Sequence, residues 1–174
     1  MDPLTPNAVN LGLLTLRVVF GVVFASHGYA KFFTGGRIAG TAGWFDGMGM
    51  RPGRVHAVMA ASTEIASGVL LALGLLTPFA GAAMVGVMVV AGYTAHRGKG
   101  FFIVKGGWEY TFMLAVLGIG IATTGPGRWS LDRAIFDEPS AFGLDGVKGL
   151  LVAALGGGLA GVGQMLAFYR PPMS

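Results

Sequence analysis

The chain contains no cysteine. Disulfides, thiol nucleophiles, cysteine-ligated metals and iron–sulfur clusters are excluded at once. Charge is scarce too: Asp, Glu, Lys and Arg make up 11% of the 174 residues, against about 25% in soluble domains. So little charge cannot cover a globular surface. The opening "MDPLTPNAVN" has no Lys or Arg, and no small-residue cleavage site closes the first apolar run. A secretory leader is therefore not expected, and that run is read as a retained helix. No GxSxG, P-loop, dinucleotide fingerprint or HExxH spacing occurs.

What remains is apolar. Hydrophobic residues make up 53%, the mean hydropathy is +0.68, and several runs match a hydrocarbon core about 30 Å thick. An integral membrane protein follows, an all-α polytopic membrane helix bundle. Glycine numbers 31 without a Gly-X-Y period, so collagen is excluded, and small residues instead allow helices to approach closely. The net charge of +4 comes from basic residues in loops. No basic patch with interleaved aromatics appears, so nucleic acid is not an expected partner.

Five spans are expected: Leu11–Phe33, Ala57–Leu76, Phe79–Ala95, Trp108–Thr124 and Leu150–Phe168. Thr77-Pro78 joins the second and third as an antiparallel hairpin, since proline starts helices well and interrupts them badly. In the fifth, Gly157 and Gly161 form a GxxxG face. Lys31, Arg37, Arg51, Arg54, Arg97, Lys99, Lys105 and Arg170 fall on one side; Arg128, Arg133 and Lys148 fall on the other, among acids. The basic side is expected to be cytoplasmic, with the N-terminus outside and the C-terminus inside. Segments 42–50 and 98–107 alternate glycine with bulky apolar residues. Two readings fit them: interfacial anchors (Trp44, Phe45, Phe101, Phe102), or re-entrant segments capping a cavity.

Against this apolar background a few ionisable residues stand out. By depth, His27 and Lys31 at the end of span one, Glu64 in span two, His96 closing span three and Glu109 opening span four all reach one membrane half, with His56 at the rim. His27 and Lys31, four apart, share a helix face. An unpaired charge near the bilayer centre costs roughly 2.5–3.5 kcal/mol, so that face should turn inward. The expected pairings are His27 opposite Glu64 and Lys31 near Glu109. Arg17 lies near the other end of span one, with Asp132 as its expected ion-pair partner. Three readings of the cluster stay open: polar glue that sets helix register, a hydrogen-bonding and proton-exchanging pocket for a quinone-like ligand, or a conduit for protons or a small solute. Histidine suits the second because its charge state shifts easily near neutral pH. Metal and haem ligation are not expected, for want of ligand spacing.

The motifs "HGYAK" (27–31), "EIASGVLLALGLLT" (64–77), "HRGKGFF" (96–102), "GGWEY" (106–110) and "GPGRWSLD" (125–132), in this order and spacing, resemble the DoxX family of small bacterial membrane proteins. The resemblance covers roughly residues 11 to 135. Ser67 stands where the family often has glycine, and the fifth span extends beyond the usual four-helix unit. It implies a four-helix membrane core and an association with redox systems; the related DoxD-type proteins look like membrane subunits of thiosulfate:quinone oxidoreductases. Relatives of this broad fold also serve in maturation of periplasmic redox enzymes, where thiols matter, and the missing cysteines count against that role.

The expectation is a bacterial inner-membrane protein with a four-helix core at 1–135, then an outer loop, a fifth transmembrane helix and a short basic tail at 136–174. It is read as an accessory subunit of a redox assembly rather than a complete enzyme. His27, Lys31, Glu64, His96 and Glu109 would bind a quinone head non-covalently, with Glu64 or Glu109 handling protons, while a membrane or peripheral protein partner supplies electrons. The alternatives are a structural or assembly subunit without ligand chemistry, and a small-solute or proton transporter. Nothing in the sequence sets the oligomeric state.

Overall fold

The computed structural model describes residues 6–171, so the reading of residues 1–5 lies outside it. All five expected spans are helices. They are α1 (Pro6–Phe33), α3 (Gly53–Leu73), α4 (Thr77–Thr94), α5 (Glu109–Thr124), and a last segment in which α7 (Gly146–Leu151), a π turn (Val152–Gly156) and α8 (Gly157–Phe168) run on without a break. Short α2 (Arg37–Met48) and α6 (Leu131–Phe136) lie in the connections. Four of these segments are long and apolar enough to cross a membrane, including Gly146–Phe168. The fifth, α5, has 16 residues and rises only about 24 Å.

Glycine lets these helices touch backbone to backbone. A Cβ on Gly68 of α3 would lie 2.5 Å from the Gly21 carbonyl oxygen of α1, so neither crossing residue tolerates a side chain. The expected Gly157/Gly161 face is used within the chain: it packs on α4, where a Cβ on Gly161 would come within 2.8 Å of the Gly86 carbonyl oxygen. Phe24, Leu71, Met84, Met88, Leu114 and Ile121 fill the centre. Large apolar side chains such as Val22, Val116, Leu159 and Leu166 stay exposed on the outside, as a lipid-facing surface requires.

Arg17 and Asp132 are both fully buried, but they do not form the contact ion pair expected from the sequence. Each instead satisfies backbone groups, Arg17 at the end of α3 and in the α5–α6 connection, Asp132 at the α3–α4 turn. Arg17 donates to the Ala72 carbonyl at 3.1 Å and the Trp129 carbonyl at 2.6 Å. Asp132 accepts from the Leu76 and Thr77 amides at 2.7 and 3.0 Å. The cation thus sits where α3 ends and the anion where α4 begins, each favoured by the local helix dipole. Orphan backbone groups in an apolar medium compete strongly for such side chains. Asn10 extends the same knot, accepting from the Arg128 amide at 2.7 Å.

At the opposite end the chain closes on itself. Segment 42–50 lies mostly within α2, and Phe45 and Met50 pack with Ala57 and Val90. Asp46 accepts from the Gly53 amide at 2.7 Å, capping α3. Met50 and Tyr169 form an antiparallel bridge, with Arg170 N–H donating to the Gly49 carbonyl at 2.7 Å. The α2–α3 junction is thereby stapled to the end of α8. Segment 98–107 behaves differently. It is a loop with one 3-10 turn (Ile103–Lys105) whose Phe101 and Phe102 remain substantially exposed; Phe45, expected with them as an interfacial anchor, is instead buried in the bundle.

Candidate functional site

Between α1, α3, α4 and α5, beneath α2, lies a cavity of about 330 Å³. Its wall is mostly apolar, set by Phe24, Phe45, Met59, Val87, Met88 and Leu114. Into this wall the helices deliver His27, Lys31, His56, Glu64, His96, Tyr110 and Gln164. Four of the five expected ligand-binding residues therefore converge.

Their pairing differs from the expected one. Lys31 Nζ meets Glu64 Oε2 at 2.5 Å, while His27 Nε2 hydrogen-bonds the Tyr110 hydroxyl at 3.0 Å. Length explains the exchange. Helical side chains tilt toward the helix N-terminus, so a lysine one turn beyond His27 reaches back along α1 with its long stem to Glu64, which is 5% exposed and in need of a cation. The shorter imidazole meets the phenol of α5 instead.

Glu109 is the residue that the structure leaves out. Its carboxylate accepts from the Ile103 amide at 2.9 Å and does not line the cavity. Standing first in α5, it faces unpaired backbone donors, and the loop claims it before Lys31 can. His96 lines the cavity and donates through Nδ1 to the Gly106 carbonyl at 2.7 Å.

Two polar contributors go beyond the sequence reading. Tyr110 follows Glu109 directly and projects where its neighbour was expected. Gln164, the one polar side chain in the fifth span, donates through its amide to His56 Nδ1 at 3.0 Å. His56, in the first turn of α3 as a rim position requires, is nonetheless enclosed: it is 1% exposed, held between Phe45 and Phe168. Its Nε2 has no hydrogen-bond partner among the described residues. With Nδ1 accepting from Gln164, Nε2 carries the proton and is a donor. A buried donor without a partner in a cavity wall is rare, because it forfeits about 1–3 kcal/mol of hydration. Among the described residues no group of three His, Asp or Glu side chains is arranged to hold a metal.

A polytopic helical membrane protein enclosing a small, polar-ended cavity is the class these features define. The chain belongs to the DoxX family, whose profile matches residues 12–97. It is 33% identical over 141 residues to "Uncharacterized membrane protein Rv3486" of Mycobacterium tuberculosis, covering 75% of this chain and 85% of that protein. It is 32% identical over 130 residues to "Putative oxidoreductase CatD" of Bacillus subtilis, covering 75% and 91%. No solved structure matches.

Proposed function

We propose that the cavity binds the head of a quinone-like molecule and that the chain is an accessory membrane subunit of a redox assembly. The carrying observation is that His56, whose buried Nε2 has no hydrogen-bond partner among the described residues, lines the same largely apolar chamber as Lys31, Glu64, His27 and Tyr110. On α3, His56 and Glu64 are eight residues apart, a rise of about 12 Å. A six-membered ring with oxygens on opposite edges, hydrogen-bonded at both, spans about 11 Å. One oxygen would accept from His56 Nε2 and the other from Lys31 or the Tyr110 hydroxyl. The apolar wall would take the ring, as in ligand sites generally.

Reduction of a quinone to a quinol takes two electrons and two protons. Here Glu64, Lys31, His27 and Tyr110 would pass the protons, and a partner carrying a flavin or metal centre would supply the electrons. The oxidoreductase name of the Bacillus relative supports a redox setting. The excess of Lys and Arg around α2 and the 95–108 loop supports placing the cavity in the cytoplasmic half of a bacterial inner membrane. A second reading has its own observation: Lys31 and Glu64 satisfy each other without any ligand, which is what polar glue in an assembly subunit would do.

Trp44 lines the cavity and supplies the test. A tail-less benzoquinone titrated into purified protein should quench fluorescence saturably in the wild type, and much less in Trp44→Phe. His56→Ala should weaken the binding about tenfold. Linear, non-saturable quenching in the wild type would leave the glue reading standing.

A further inference from the structure

A second recess of about 880 Å³ opens on the outside of the bundle between α4, α5 and α8. Its walls are largely apolar, among them Val89, Phe112, Ala115, Val162 and Leu166. Phe112, Val162 and Leu166 are exposed where lipid would lie. This recess and the inner cavity share Met88 and Thr111 as walls. Beside them Gly92 lacks a side chain, and a Cβ there would lie 3.3 Å from Thr111 Oγ1. A flexible thioether and a small hydroxyl residue thus face both the polar chamber and the outer groove. Methionine has three rotatable bonds and repacks readily.

We infer that the ligand is an amphiphile with a long apolar tail, whose head occupies the inner cavity and whose tail leaves past Met88 and Thr111 into the α4–α5–α8 groove. The inference rests on the quinone-head reading and adds the class of molecule and its route: a polyprenyl-type quinone entering sideways from the membrane, not a small quinone arriving from water. The occupant is argued from continuity. A groove ending on an apolar surface would hold any acyl chain, but one sharing its wall with a polar chamber matches a molecule built of both parts. Arg97 keeps the groove's outer end in order, its guanidinium stacked 4.7 Å above the Tyr93 ring and bonded to the Tyr93 hydroxyl.

The test uses the full chain in lipid nanodiscs with two probes, a tail-less benzoquinone and the same ring carrying a polyprenyl tail. Val162→Trp and Ala115→Phe fill the groove without touching the inner cavity. Both variants should weaken tailed-quinone binding at least tenfold and leave tail-less binding within twofold. Equal binding of the tailed probe to wild type and variants, as when an ordinary phospholipid occupies the groove, would overturn the inference while the head site stands. Absence of saturable binding by either probe would instead overturn the head-site reading, and the tail route with it. A variant-free check covers misfolding: a photoreactive group on the tail should label residues 89–93, 111–115 and 162–166. Labelling spread evenly over the lipid-facing helices would count against the route.

Discussion

Lys31 and Glu64, 33 positions apart in the chain, meet at 2.5 Å between α1 and α3. The glutamate is almost fully buried and the lysine largely so. Removing one member strands the other's charge in an apolar setting, at a cost of about 3–5 kcal/mol, whereas replacing both with apolar residues of similar size is often close to neutral. Lys31→Met and Glu64→Leu should each lower the detergent unfolding temperature sharply, and the double variant should recover most of the loss. A double variant no more stable than either single one would show that the two do not act as a pair. If the recovered double variant still binds the tail-less quinone like the wild type, the pair is glue alone.

At the far end of the bundle, Asp132 holds two backbone amides at the α3–α4 turn. Asp132→Ala strands a buried donor at Thr77 and a part-buried one at Leu76, and should cost about 1–3 kcal/mol for each donor left unsatisfied. Thermal unfolding should show the loss, while quinone affinity in the surviving folded fraction should not change. A parallel fall in affinity would mean that the two ends are coupled.

Tyr110 contributes to the cavity through one hydroxyl, bonded to His27. Tyr110→Phe keeps the ring and removes that group. A net hydrogen bond is worth about 1 kcal/mol, so losing the bond to His27 should lower the unfolding temperature modestly, and losing a bond to the ligand should lower quinone affinity roughly fivefold. Unchanged affinity would remove Tyr110 from the site.

Because the chain has no cysteine, single introduced thiols report topology cleanly. Val104→Cys and Glu138→Cys lie on exposed positions in connections at opposite ends of the bundle. In intact cells a membrane-impermeant maleimide should label the second and spare the first. The reverse pattern would invert the proposed orientation.

The spans were legible because hydropathy and length dominate in a bilayer, and boundaries shifted by only a few residues at each end. Depth alone also brought His27, Lys31, Glu64 and His96 to one chamber. It could not assign partners, since side-chain reach and rotation about each helix axis leave no trace in spacing; hence the exchange between Lys31 and His27. Glu109 was misdirected because its claim on a loop amide belongs to a turn with no sequence signature. Tyr110 was hidden behind its charged neighbour. Gln164 had a usable signal, a lone amide in a glycine-rich span, which only its contact with His56 makes meaningful.

The bridge between Met50 and Tyr169 bears on biosynthesis. The segment that roofs the chamber is made early, but the residue that fastens it, Tyr169, follows α8 and is made after it. Until then Gln164 is absent, His56 lacks its holder, and the polar interior is open to the translocon or to lipid. Chains lacking α8 should therefore expose polar groups that α8 covers, His56 among them.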